Sequence, residues 1–154
     1  MKFCKTAAAL AFAMLGIGAA PLPLTHSTVL VDTPRGPVKL DVEVAADNEA
    51  RLHGLMYRKY LDPNAGMLFD FHDDKFRDFW MKNTYIPLDM IFIRADGTVS
   101  SVAPNATPLS ERVISSQEPV RAVLEVNAGR AAALGIGPGE RVHNAAFTNA
   151  AVGQ

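Results

Sequence analysis

Short stretches in which hydrophobic and polar residues alternate recur along the chain. The clearest lies at 38–44, where valines and a leucine alternate with Lys39, Asp41 and Glu43. Successive side chains of a strand point to opposite faces, so this pattern predicts a strand with one buried side and one solvated side. Other apolar runs bounded by turn residues predict strands at 28–32, 67–71, 76–81, 90–93, 98–103, 113–115, 120–126 and 141–147.

Two segments have the spacing of helices rather than strands. After Asp47, which can accept hydrogen bonds from the free amides of a helix start, apolar side chains follow at three- and four-residue spacing over 48–56. The segment 129–134 suits one or two helical turns, and Asp96-Gly97 is typical of a tight hairpin. The whole pattern predicts a mainly β fold, a sandwich-like or partly closed barrel of about eight short strands with two short helices.

The N-terminus has the three parts of a secretory signal. Lys2 and Lys5 precede an uncharged apolar stretch that ends in small residues, and cleavage is expected after Ala19 or Ala20. The stretch is shorter than the roughly 20 residues that cross a bilayer comfortably, although an uncleaved membrane anchor is the alternative. The sequence therefore predicts a signal peptide at 1–20, a linker at 21–27, a single β-rich domain at 28–148 and a flexible tail at 149–154.

Cysteine usage and charge narrow the classes of function. Cys4 is the only cysteine and lies in the predicted signal, so the mature domain would lack both disulfides and thiol catalysis. The 154-residue chain is 49% hydrophobic and 20% charged, with a formal net charge of −1 and no tract of one sign. Nucleic-acid binding normally requires a basic face, so it is not expected here. We expect a periplasmic or secreted protein that meets the membrane only through its signal peptide during export.

Five stretches of the sequence together resemble one family. They are Gly54-Leu55-Met56-Tyr57-Arg58, Gly66-Met67-Leu68-Phe69, Phe79-Trp80-Met81-Lys82-Asn83-Thr84, Ile86-Pro87-Leu88-Asp89 and Val123-Leu124-Glu125-Val126-Asn127-Ala128-Gly129. From Val29 to Val142 the chain is similar to the bacterial and archaeal family called domain of unknown function 192. The resemblance implies a mainly β, sandwich-like fold, often carried behind a signal peptide or lipoprotein anchor, and it implies no known activity.

Polar residues after the apolar run at 76–81 form the first candidate binding site. If the predicted strand alternates, Trp80 and Lys82 point to the same face. An indole beside an ammonium group, an amide at Asn83 and a carboxylate at Asp89 can recognise a polar small molecule, because the ring offers a flat apolar surface and the polar groups fix orientation. Alternatively, Trp80 belongs to the core, Asn83 forms a turn, and Lys82 pairs with Asp89 to support the loop.

A carboxylate in the middle of a predicted strand forms the second candidate. In the apolar segment at 120–126, Glu125 and Asn127 project from the face opposite to Leu124. Burying an unpaired carboxylate costs several kcal/mol or more, so Glu125 requires a partner. A structural ion pair is the alternative to a binding role. The cations to consider as partners are Arg58, Arg121 and Lys82.

The favoured function is an exported domain that binds a polar small molecule or an envelope component. The candidate ligand-binding residues are Arg58, Trp80, Lys82, Asn83, Asp89, Glu125 and Asn127. One alternative is a hydrolase of envelope polysaccharide, in which Asp89 and Glu125 act as acid and base. Another is a module whose exposed edge or apolar patch docks an envelope protein. No catalytic residue is assigned, because the histidines lack metal-ligand spacing and no nucleophile motif is present, and no cofactor is expected.

Overall fold

The computed structural model describes residues 24–147, so the predicted signal peptide and the tail at 149–154 lie outside the described residues. The strands are β1 (Thr25–Asp32), β2 (Val38–Ala45), β3 (Ala65–Lys75), β4 (Asp78–Phe79), β5 (Leu88–Ile93), β6 (Val99–Ala106), β7 (Ile114–Ser115), β8 (Val120–Asn127) and β9 (Arg141–His143). The helices are α1 (Asn48–His53) and α2 (Arg130–Leu134). The predicted mainly β class, with two short helices, is confirmed.

Seven strands form one curled sheet in the order β6-β5-β8-β3-β2-β1-β9, and β4 and β7 form a separate two-stranded sheet. The neighbours β2 and β3 are parallel, and the connection between them carries α1. The two edges of the large sheet meet at one end, where a bridge joins Thr98 to Arg141. There the Val99 amide donates to the Glu140 carbonyl at 2.8 Å. The large sheet is therefore a half-barrel, as the predicted partly closed barrel requires.

Two hydrophobic clusters pack on opposite faces of the large sheet. The inner cluster lies inside the curl and joins residues of both edge strands, Val99 and Val142, to Leu124 in the centre. The outer cluster lies on the other face of the central strands, beneath α1, and includes Val123. The apolar side chains of β8 from Ala122 to Val126 therefore alternate between the clusters, as a strand requires, whereas Val120 packs in the outer cluster.

Several predicted boundaries were wrong, and three of them change the description of the sheets. β1 begins at Thr25, so residues 25–27 belong to the sheet and not to a linker, because their backbone pairs with β2 regardless of their polar side chains. β4 has only two residues and pairs with β7 alone, and Phe76 and Trp80 of the predicted strand at 76–81 are exposed. The last strand ends at His143.

Candidate functional site

A cleft of about 690 Å³ opens on the outer face of the sheet, beside the outer cluster. Its volume falls within the roughly 300–1,000 Å³ that is typical of small-molecule sites. The chain around α1 forms one side of the cleft. Strands β3 and β4, with residues next to β4, form the other side, and β8 contributes a single side chain. The lining residues are Asn48, Arg51, Leu52, His53, Gly54, Met56, Phe69, Phe71, Asp73, Arg77, Asp78, Phe79, Trp80, Thr84 and Glu125.

Aromatic rings form much of the cleft wall. Phe69 and Phe71 lie two residues apart in β3 and therefore share its outer face. Phe79 of β4 packs edge-on against both, with ring centroids 5.2 Å from Phe69 and 6.2 Å from Phe71. Trp80 also lines the cleft and is 47% exposed. The wall thus presents apolar ring surface both at depth and at the solvent boundary.

The position of α1 against the sheet depends on its two ends. Asp47 caps the start, where its carboxylate accepts the Ala50 amide at 2.8 Å, as the sequence predicted. Gly54 ends the helix with a φ of 50°, and a Cβ at this position would lie 3.2 Å from the Phe69 ring. Because both a positive φ and this close approach favour glycine, Gly54 lets the helix end rest directly on the aromatic wall.

Two arginine side chains lie over the Phe71 ring. The guanidinium carbon of Arg77 is 4.1 Å from the ring centroid, and that of Arg51 is 5.3 Å from it. Arg51 donates to two main-chain carbonyls and to the side chain of Asn48, and Arg77 forms an ion pair with Asp73. The Nε of Arg77 is the one solvent-inaccessible side-chain nitrogen or oxygen atom of residues 24–147 without a hydrogen-bond partner. Three of the five donors of Arg51 and two of the five of Arg77 are therefore occupied within the protein.

Glu125 is a buried carboxyl group at the floor of the cleft. Its register partners are Met67 on β3 and Met90 on β5, so thioether side chains flank it on both neighbouring strands. Glu125 is 4% exposed, and no residue in the described range forms a hydrogen bond or ion pair with its carboxyl group. Because burial removes water without supplying a partner, it raises the pKa of Glu125 to about 8. The group is therefore mostly neutral at pH 7.

Asp89, the other fully buried acid of the candidate set, is satisfied by the backbone. One carboxylate oxygen accepts the amides of Asn105 at 2.9 Å and Gly129 at 3.0 Å, and the other accepts the Ala131 amide at 3.0 Å. Ala131 belongs to the inner cluster, so Asp89 points into the half-barrel while Glu125 faces the outer cleft. The acid–base pair proposed for a polysaccharide hydrolase was therefore wrong, because the sheet separates the two carboxyl groups.

The cations predicted as partners of Glu125 all pair elsewhere. The observed pairs are Arg58 with Glu43, Arg121 with Asp70 and Lys82 with Glu111. The ion-pair alternative for Glu125 was therefore wrong, as was the predicted support of Asp89 by Lys82. The folded chain brings another carboxylate next to each cation, and the order of the residues in the sequence does not show these pairs.

Three further candidates, Lys82, Asn83 and Asn127, do not line the cleft but make contacts near it. The Lys82 ammonium lies 5.2 Å from the ring centroid of Trp80, so these two side chains do share a face. Asn83 adopts a φ of 56°, and its carbonyl accepts the Tyr57 amide at 2.8 Å. The Asn127 side chain donates to two main-chain carbonyls, the nearer being that of Leu61 at 2.9 Å. Of the seven candidates, Trp80 and Glu125 line the cleft.

Sequence reasoning missed several residues that line the cleft, among them Phe71, Arg51 and Arg77. Phe71 was placed in an ordinary strand, and Arg51 and Arg77 received no role. A usable signal existed for Arg77, which interrupts the apolar run at 76–81 with a charge. No local signal exists for Arg51, which reaches the cleft only because α1 packs across β3.

Other places in the described chain have less to offer chemically. A second cleft of about 320 Å³ contains no buried ionisable side chain among its lining residues. Within residues 24–147, no three histidine, cysteine, aspartate or glutamate side chains come together as a possible metal site. None of the helices in that range has the length and apolar character needed to cross a membrane. The cleft at Glu125 is therefore the strongest candidate site.

Comparisons with known proteins define the family. Residues 30–144 match the DUF192 family, described as "Uncharacterized ACR". A Sinorhizobium meliloti 1021 crystal structure, described as a "putative transcription regulator", is 45% identical, with a TM-score of 0.79 over 82% of this chain and 99% of that chain. A Novosphingobium aromaticivorans DSM 12444 crystal structure, a protein of unknown function, is 36% identical, with a TM-score of 0.77 over 93% and 100% of the two chains. No curated protein matches. The motifs thus led to the correct family, and the chain belongs to DUF192.

Proposed function

We propose that the protein is an exported ligand-binding domain, and that the cleft lined by Glu125 and Trp80 is its binding site. The observation that supports this most strongly is the unpartnered, 4%-exposed carboxyl group of Glu125 in a cleft of small-molecule size. An acid kept in apolar surroundings without a partner costs folding free energy, and such perturbed groups concentrate at functional sites. A bound ligand would supply the missing partner.

The cleft walls suit a ligand with a flat or apolar body. Phe71, Phe79 and Trp80 supply ring faces and edges, which bury apolar surface without requiring further hydrogen bonds. The few polar groups at the floor and rim can then fix the orientation of the ligand. This division between apolar walls and one buried polar group is typical of small-molecule sites.

A ligand screen by thermal shift tests the proposal. A ligand that binds only the folded state at 100 times its Kd adds about 2.7 kcal/mol of stability, which the melting temperature reports. We expect Glu125→Gln and Trp80→Ala to fold and to lose the ligand-induced shift. Glu140→Gln, the same chemical change at a residue outside the cleft lining, should keep it. If both cleft variants fold and retain every shift, the cleft is not the binding site.

The export half of the proposal is supported by the N-terminal sequence. A signal removed after Ala19 or Ala20 would leave a mature chain that starts at Ala20 or Pro21. The intact mass of the protein recovered from the periplasm or medium measures this start. A full-length mass and retention in the cytoplasm would contradict export.

The interaction-module alternative has one observation in its favour. The exposed rings of Tyr57 and Tyr85 lie 6.1 Å apart, centroid to centroid, next to the cleft. A Tyr57→Ser, Tyr85→Ser variant removes these rings without altering the cleft lining, so it should keep the small-molecule shifts under our proposal. DNA binding gains no support from a chain with a net charge of −1.

A further inference from the structure

The most buried ionisable group of the cleft, Glu125, is an acceptor that no donor of the described residues reaches. Arg77 is paired with Asp73, and Arg51 donates to Asn48 and to main-chain carbonyls. The carboxyl group of Glu125, in contrast, accepts nothing from the described residues. The group that Glu125 lacks is therefore a hydrogen-bond donor, and a cationic donor would complement its carboxylate best.

We propose that the ligand carries an ammonium or amidinium group that pairs with Glu125, while its apolar body lies against Phe71, Phe79 and Trp80. This inference rests on the proposed function of the cleft as a binding site. Ring faces attract cations, and the two guanidinium groups over Phe71 show that this wall already does so within the protein. The ligand class is thus an organic amine or amidine with an aromatic or branched aliphatic body.

Pairing with a cation changes the protonation of Glu125. Burial raises the pKa of Glu125 to about 8, so in the free protein at pH 7 its carboxyl group is mostly protonated. An ammonium ligand arrives already charged, and the stable pair needs the carboxylate, so Glu125 releases its proton to solvent as the ion pair forms. Binding at pH 7 should therefore release close to one proton for each ligand bound.

Other ionisable groups face the same cleft and must be separated from Glu125. They are Arg51 and His53 from α1, Asp73 from β3, Arg77 from the following segment and Asp78 from β4. Hydrogen bonds from Lys75 and Arg77 lower the pKa of Asp73, so this group keeps its charge at neutral pH. The imidazole of His53 faces the same cleft, which makes His53→Gln a necessary control.

Three probes of similar shape test the inference by isothermal titration calorimetry with the mature protein. Benzylamine carries the cation, benzyl alcohol is its neutral counterpart, and benzoate carries the opposite charge. We expect benzylamine to bind at least about tenfold more tightly than benzyl alcohol at pH 8. Its affinity should fall about tenfold per pH unit from pH 7 to pH 5, because the carboxyl group must first ionise. Titrations in phosphate and in Tris, which differ in ionisation enthalpy, give the number of protons released.

Variants assign the effect to one residue. Glu125→Gln should abolish both the preference for benzylamine and the proton release, whereas Glu140→Gln and His53→Gln should keep both. Equal or tighter binding of benzyl alcohol or benzoate would overturn the cationic ligand class but leave the cleft as a binding site. Failure of benzylamine to bind at all would also overturn the class. The broader ligand screen decides separately whether the cleft binds anything, so the two proposals can fail independently.

Discussion

Two buried carboxyl groups on adjacent strands of one sheet have opposite surroundings. Asp89 on β5 points into the half-barrel and accepts three backbone amides, at 2.9, 3.0 and 3.0 Å. Glu125 on β8 points to the outer face and accepts no hydrogen bond from the described residues. Both residues are almost fully buried, so burial alone does not distinguish a structural acid from a functional one. The number of hydrogen bonds that the carboxyl group accepts within the protein distinguishes the two.

The difference follows from what covers each face. The inner face is closed by the turn into α2 and by the end of β6, whose free amides need acceptors, and Asp89 supplies them. The outer face around Glu125 carries thioethers and phenylalanine rings, which have no donors to offer. The hydrogen bonds of the two cleft arginines go to Asn48, Asp73 and main-chain carbonyls instead. Backbone amides therefore stabilise the carboxylate of Asp89, whereas the carboxyl group of Glu125 remains available to a ligand.

Replacing Asp89 should give the largest effect on stability. Asp89→Ala leaves three backbone amides without their acceptor, that of Ala131 being buried, and detaches β5 from the start of α2, so we expect the free energy of unfolding to fall by about 3–5 kcal/mol. Urea denaturation at pH 5 measures it. At that pH the wild-type Glu125 is neutral, so Glu125→Gln should change stability by less than about 1 kcal/mol. Similar losses for the two variants would erase the distinction between the two acids.

The pH dependence of stability should give the next largest effect. The pKa of Glu125 is about 8 in the folded state, whereas an unperturbed glutamate has a pKa of 4.5. Between those values the unfolded chain releases a proton that the folded chain keeps, so raising the pH lowers the free energy of unfolding by on the order of 1 kcal/mol per pH unit. Below this window both states are protonated, and above it both are ionised, so the contribution is constant there.

The Glu125→Gln variant isolates this contribution, because it removes one titrating group and keeps the side-chain shape. The difference in unfolding free energy between wild type and Glu125→Gln, followed by urea denaturation from pH 4 to pH 9, should drift in favour of the variant by a few kcal/mol. Asp89 cannot produce this signal, since it is present in both proteins. A flat difference would show that Glu125 has a partner in solution.

The sequence predicted the parts of the fold that depend on local patterns. Alternation located β2, the cap at Asp47 formed as expected, and Asp96-Gly97 does join β5 to β6. The strand order could not be predicted, because the pairing of β8 between β3 and β5 links segments that are far apart in the chain.

The same limit applied to the candidate site. Glu125 was identified as a carboxylate within a predicted apolar strand, and Asp89 as one of the polar residues that follow the apolar run at 76–81. Which of them would be satisfied depended on the face that each occupies and on the strands beside it. Met67 and Met90 flank Glu125 only through register, and α1 brings Arg51 over β3 only through packing. Neither the strand register nor the packing of α1 can be predicted from the local sequence.

The smallest predicted effect on stability is that of Trp80→Ala, a variant that tests which side chains desolvate the carboxyl group of Glu125. Trp80 is 47% exposed, so Trp80→Ala should lower the free energy of unfolding by less than about 1 kcal/mol at pH 5. Removing the indole admits water to the cleft, which should move the pKa of Glu125 from about 8 towards its ordinary value. A carbon-13 NMR titration of the Glu125 carboxyl group measures this shift directly. Tyr60→Ala, which removes an exposed ring outside the cleft lining, should leave the titration unchanged. If Trp80→Ala also leaves it unchanged, the wall at the cleft mouth does not desolvate Glu125, and Met67 and Met90 on the neighbouring strands are sufficient to do so.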